Sequence, residues 1–306
     1  MSISTAPQFD ASLQQLDYHP SAPETLLVAG IRDANSLGWV TARNWLEEVP
    51  DGKIVATYRS AEAQRFLGSQ TDVYQGRISG LEIDWLAKHS SNTLALLLRM
   101  IDRRSEKETG FGLNITGVAH CVAAADRTNF TNDPTEIEEH VFIDAFRAST
   151  LSLQGLVKAS KQYMAPNAGI VTFGYGDPEK TEKGYGGAMQ LAKAGLTKTV
   201  MVLAEELGKG NDISTGPLAR IAEIVTGYIP TRSGKGVAIL QKTKPRDAEA
   251  KSSESALLHG TNGALQAEAA GALAILFMRH PAFRQTTGQR LFVDGGASVR
   301  SATRIT

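Results

Sequence analysis

The sequence predicts an α/β protein built on a doubly wound parallel sheet in three layers. Three observations predict it. Short apolar runs recur along the chain, helical stretches of ten or more residues separate them, and a glycine turn closes the first run. Parallel strands need long crossovers, and strands buried on both faces read as continuous apolar runs.

The elements follow in order. Residues 1–24 are polar and aperiodic, with Pro7, Pro20 and Pro23, and read as an N-terminal arm. Leu26, Leu27, Val28 and Ala29 form a strand that ends at Gly30. Trp39, Ala42, Trp45 and Leu46 recur at helical spacing, and residues 53–58 make a second strand, completing a βαβ unit. Val73 and Tyr74 read as a weak third strand, residues 82–100 as helix and the charged stretch 101–112 as loop. Residues 115–121 are a strand, 137–164 a long helical stretch and 169–173 a strand followed by a glycine-rich loop. Helices are predicted over 188–207 and 264–278, and a last strand over 289–294. Residues 218–262 break the rhythm and read as a substrate-loop insert, whose stretch 243–255 is highly polar. One domain is expected over 25–300, with a tail at 301–306.

Composition removes several classes of function. Of 306 residues, Lys+Arg number 32 and Asp+Glu number 32, so bulk charge offers nucleic acid or an anionic membrane nothing to bind. The single cysteine, Cys121, excludes an internal disulfide and a thiolate-rich metal site. No metal is expected, since the six histidines show no i, i+4 pair. The N-terminus lacks the basic start and apolar run of a secretory signal, no stretch reaches 18 uninterrupted apolar residues, and a cytoplasmic protein is expected.

The segment Gly30-Ile31-Arg32-Asp33-Ala34-Asn35-Ser36-Leu37-Gly38 joins the first strand to its helix. A glycine there lets the backbone approach a pyrophosphate, which the helix N-terminus attracts through unpaired N–H groups and its dipole. Ser36 can add a hydroxyl. The second strand ends Thr57-Tyr58-Arg59-Ser60. A basic residue at this point accommodates a ribose 2′-phosphate, so Arg59 and Ser60 favour NADP over NAD. His120 beside Cys121 reads as a packed strand-end pair, since no third partner for nucleophilic catalysis is visible.

These motifs, with Tyr175, Tyr185, the run Leu191-Ala192-Lys193-Ala194 and the terminal stretch 288–298, resemble the short-chain dehydrogenase/reductases. The branch they are most similar to is the enoyl-acyl carrier protein reductases. The resemblance spans roughly residues 25–300 and implies a Rossmann-type fold. It implies that Tyr185 donates a hydrogen bond to the substrate carbonyl, that Lys193 holds the nicotinamide ribose and that Tyr175 lines the pocket. Gly30, Ile31, Ser36, Leu37, Arg59, Ser60, Ile78 and Ala123 would contact the cofactor. So would Gly216 and Leu218, in a turn expected after a shortened sixth strand. The implied reaction is NADPH-dependent reduction of an apolar enoyl or carbonyl substrate, an acyl thioester or another small molecule, by a homo-oligomer (tetramer or dimer).

One departure carries mechanistic weight. The family places its tyrosine and lysine seven positions apart, on one helix face; here the spacing is eight. Inside a regular helix the extra step would swing Tyr185 by about 100° off the lysine face. Either the glycine-rich loop returns Tyr185 to its place before the helix begins, or the usual catalytic tyrosine is absent. The second case would leave a protein that performs a non-redox step, such as cyclisation or dehydration, or that only binds a cofactor.

Overall fold

The computed structural model describes residues 22–130, 133–176, 185–209, 219–240 and 263–299. Seven parallel strands form one sheet: β1 Glu24–Ala29, β2 Lys53–Tyr58, β3 Ile78–Glu82, β4 Asn114–His120, β5 Met164–Tyr175, β6 Ala219–Thr226 and β7 Gln289–Val293. Their order is β3-β2-β1-β4-β5-β6-β7. The order reverses between β1 and β4, so a crevice opens at the C-terminal ends of those strands, where doubly wound folds place ligands. The predicted Rossmann-type architecture is therefore observed.

Helices cover both faces. On one lie α1 (Leu37–Glu48), α2 (Ala61–Val73) and the last long helix, α8 (Gly263–Arg279), packing Trp45, Leu67 and Phe277 against Leu26, Ile54 and Ile224. On the other lie α3 (Ser90–Thr109), α5 (Ser152–Ser160) and α6 (Gly187–Gly208), whose Leu94, Leu156 and Leu196 meet Leu27, Val118 and Ile170. Each such side chain contributes about 1.5–3 kcal/mol through burial. The stripe Leu196, Val200 and Leu207 of α6 is core. Among the described residues the other α-helices are α4 (Glu139–Phe146) and α7 (Arg232–Leu240).

Several elements depart from the sequence reading. Val73 and Tyr74 end α2 instead of forming a strand, and the third strand begins at Ile78. The charged stretch predicted as loop continues α3 to Thr109, with Arg104 and Glu108 paired at i, i+4 across 2.7 Å. The long stretch 137–164 is interrupted: α4 passes through a π turn at Arg147–Leu151 into α5, and Met164 already belongs to β5. Most consequentially, the supposed insert opens with a full eight-residue strand, β6, every residue of which is buried. Its charged members Arg220 and Glu223 disguise it as irregular sequence. The arm to residue 21, Gly216, Leu218, the polar stretch 243–255 and the tail 301–306 lie outside the described residues.

Candidate active site

The glycine turn sits at the predicted edge. Gly30 has φ +96°, and a Cβ there would stand 2.8 Å from the Cys121 carbonyl oxygen. Only glycine fits both the dihedral and the space. A Cβ on Gly38 would in turn meet the Gly30 carbonyl oxygen at 2.8 Å, so Gly38 is what lets α1 start close under the turn. Ile31 is buried, and its N–H donates to the Thr57 carbonyl at 3.0 Å, stitching the turn to β2. Ser36 is the N-cap of α1: its Oγ accepts from the Trp39 N–H and donates to the Asp33 carbonyl at 2.7 Å. Leu37 opens the helix. The close-approach glycine and the outward helix N-terminus fit a pyrophosphate.

Around this turn the other predicted contacts divide. Arg59 follows β2 at the same edge, half-exposed, with its guanidinium 3.8 Å from Asp84. Ser60 caps α2 by accepting from the Ala63 N–H at 3.2 Å. Ala123 is exposed on the loop after β4. Ile78 is misplaced by the sequence reading: it starts β3, buried at the opposite end of the sheet, and the C-terminal end of that strand delivers Ile83 and Asp84 instead. The neighbouring Arg77 caps the C-terminal end of α1, donating to the carbonyls of Leu46, Val49, Pro50 and Gly52 at 2.9–3.3 Å. Gly216 and Leu218 precede β6 in the chain, so they cannot form the turn after it. That place belongs to Gly227-Tyr228-Ile229-Pro230-Thr231.

Tyr175 is the last residue of β5, and the rings of Tyr175 and Tyr185 pack with centroids 4.4 Å apart. Lys193, on α6, is buried and donates from Nζ to the Phe173 carbonyl at 2.7 Å. Burial pushes its ammonium down to about 8, partly offset by the Glu223 carboxylate. The two tyrosine rings and the lysine ammonium are therefore all held near the C-terminal end of β5.

The eight-residue spacing is resolved by Gly186. This residue caps α6 in a conformation of φ +80° and ψ 140°, so Tyr185 lies outside the helix and the extra residue adds no helical rotation. A side chain at 186 would overlap Asn129. Asn129, buried on the turn after β4, accepts from the Met189 N–H at 3.1 Å and donates to the Tyr185 carbonyl at 3.4 Å. It holds the start of α6 against the β4 loop, and nothing in the sequence pattern singled it out.

The His120–Cys121 pair is built into the packing at the end of β4. Ser152 gives its proton to the Ala148 carbonyl at 2.5 Å, so at 2.7 Å it accepts from His120 Nε2. His120 Nδ1 is then the acceptor for Thr172 Oγ1, at 2.8 Å. Burial above all, and then the charge of Lys193, hold His120 down to about 3, so it stays neutral. Burial pushes the Cys121 thiol up, away from the reactive thiolate. Among the described residues, no three His, Cys, Asp or Glu could hold a metal ion, and no helix is long and apolar enough to cross a membrane.

Comparison with known proteins agrees with this fold. The sequence profile of the family described as enoyl-(acyl carrier protein) reductase matches residues 30–298. An enoyl-[acyl-carrier-protein] reductase [NADH] of Bacillus cereus is 28% identical over 273 residues, which cover 89% of this chain and 96% of that protein. Its counterpart in Bacillus subtilis is 32% identical over 182 residues, covering 60% and 64%. A crystal structure of the Bacillus cereus enoyl-acyl carrier protein reductase with NADP+ and indole naphthyridinone is 26% identical. It superposes with a TM-score of 0.75 over 92% of this chain and 98% of that one.

Proposed function

The chain belongs to the enoyl-acyl carrier protein reductase family, and we propose that it is an NADPH-dependent reductase of an apolar enoyl group carried as an acyl thioester. The observation that carries this reading is that Tyr175, Tyr185 and Lys193 gather at the C-terminal end of β5, with the two tyrosine rings packed together and Lys193 bonded to the Phe173 carbonyl. A bound nicotinamide would supply the hydride. Tyr185 then donates a hydrogen bond to the thioester carbonyl and stabilises the enolate that develops there. Lys193 orients the ribose and, as a cation, favours the anionic form of Glu223. Tyr175 packs the ring of Tyr185 and limits its rotation. Gly30, Ile31, Ser36, Leu37 and Ala123 line the path of the dinucleotide. The alternative of a non-redox scaffold rested on the eight-residue spacing and on the alanine run Ala123-Ala124-Ala125 after β4; the conformation of Gly186, which leaves Tyr185 outside the helix, speaks against the first of these.

NADPH in place of NADH rests on Arg59 and Ser60 at the end of β2, since the Bacillus relatives carry NADH in their names while the solved neighbour holds NADP+. Titration by cofactor fluorescence, followed by turnover of a crotonyl thioester, tests both halves. Tighter binding of NADPH is expected, and Arg59→Ala should cost NADPH roughly tenfold in affinity while leaving NADH little changed. Binding of neither cofactor would end the reductase reading; equal binding of both would end the Arg59 assignment.

A homo-oligomer is proposed on one exposed apolar face. Ile143, Phe146, Leu151 and Leu191, on α4, the π turn and α6, are 39–62% exposed side by side. Phe146→Glu is expected to reduce the mass seen by light scattering to that of a smaller assembly. An unchanged mass would place the contact elsewhere.

A further inference from the structure

The reaction does not account for every polar group beneath the Tyr–Lys site. Glu223 stands in the middle of β6 at 2% exposure, in register with Thr172 on β5 and Arg290 on β7. A buried carboxylate is costly unless other groups meet it. Here Thr197, one helical turn beyond Lys193, donates its hydroxyl to Glu223 Oε2 at 2.7 Å. The other carboxylate oxygen fills the space beside Gly174, where any Cβ would overlap it. Lys193 donates to the carbonyl of Phe173, the residue immediately before that glycine. Lys193, Thr197, Gly174 and Glu223 thus enclose one buried corner at the foot of the site. A serine at position 174 would collide with this carboxylate.

We propose that Glu223 is a positioning residue for Lys193, supplying the opposing charge that keeps the ammonium charged at the sheet edge, and that Gly174 is glycine in order to admit it. The assignment rests on the reductase reading for its role in turnover. The groups acting on this corner are Lys193 from α6, His120 and Cys121 from β4 and its end, and Arg290 from β7. His120 is neutral; burial pushes the Glu223 carboxyl up, while the Thr197 hydroxyl, Lys193 and Arg290 each favour its charged form. Lys193 loses its proton as pH rises through about 8, so ribose binding weakens on the alkaline side. Removing the carboxylate lowers that titration further, because the opposing charge raised it.

The isosteric change Glu223→Gln is therefore expected to move the alkaline limb of kcat/KM toward acid by roughly one pH unit, a tenfold loss at a fixed pH on that limb. In cofactor-free protein carrying ¹³C-labelled lysine, the Lys193 signal, identified by its loss in Lys193→Met, should titrate lower by a similar step. Gly174→Ser alone should melt at lower temperature, and Gly174→Ser with Glu223→Ala should recover most of that loss. A purely structural glutamate would lower the whole pH profile without displacing its limb. An unmoved limb and an unmoved Lys193 titration would overturn the role of Glu223; a Gly174→Ser protein as stable as wild type would overturn the pairing. Wild-type protein that binds no nicotinamide cofactor would sink the reductase reading instead, and the NMR titration would still decide whether Glu223 governs Lys193.

Discussion

Tyr185→Phe is expected to lower kcat by about 100- to 1,000-fold with the melting temperature near that of wild type. The change removes one hydroxyl and keeps the ring, so the packing against Tyr175 at 4.4 Å survives. What disappears is a donor aimed at charge that exists only as the enolate forms. Loss of such a donor falls on kcat more than on KM, because the ground-state thioester carbonyl gains less from it. Tyr175→Phe should cost less, since that side chain braces its neighbour. Steady-state turnover of a crotonyl thioester, followed by absorbance of the reduced nicotinamide, separates the two. Turnover retained in Tyr185→Phe and lost in Tyr175→Phe would exchange their roles.

Much of the fold was legible because its central strands obey simple rules. Leu26–Ala29 is an unbroken apolar run, β4 alternates small and apolar residues and is buried from Ile115 to His120, and the glycine turn marked the first crossover. The failures have physical causes. β6 reads Ala-Arg-Ile-Ala-Glu-Ile-Val-Thr, and its two charged residues look like surface sequence. They are buried because distant elements meet them: Arg220 donates to the carbonyls of Phe277, Met278 and Phe283, and Glu223 accepts from Thr197. Local periodicity carries no record of such partners. α3 failed in the opposite sense. It buries only Leu94 and Leu98, so its charged second half has no apolar stripe to show.

These misplaced elements propagated into the site. With the third strand read too early, Ile78 stood at its end; with the sixth read as shortened and placed too early, Gly216 and Leu218 took the place of the 227–231 turn. The candidate residue types were readable: the ring of Tyr175, at the end of β5, packs on Tyr185, and Lys193 reaches the Phe173 carbonyl on the same strand. Their spacing was not interpretable from sequence alone. Whether a glycine leaves the helix or continues it depends here on Asn129, which lies 57 positions upstream of Gly186 (186 − 129) and close in space.

Gly186→Ala is the substitution that puts this dependence under most strain. At φ +80° and ψ 140° the backbone lies near the region that only glycine occupies readily, at a cost of roughly 1–3 kcal/mol for any other residue. A methyl group there would also overlap the Asn129 side chain and carbonyl, so one of the two must move. Asn129 is tied to the first turn of α6 through the Met189 N–H, and moving it frees a buried donor. Together these effects should destabilise the protein by roughly 3 kcal/mol or more, measured by urea unfolding. The alternative open to the chain is to draw residue 186 into the helix. Tyr185 would then follow helical geometry and turn by about 100° away from Lys193. Turnover should accordingly fall by more than the unfolded fraction explains, even at temperatures where the variant is fully folded. A variant that unfolds like wild type and keeps its kcat would mean that Tyr185 reaches its place by some other route.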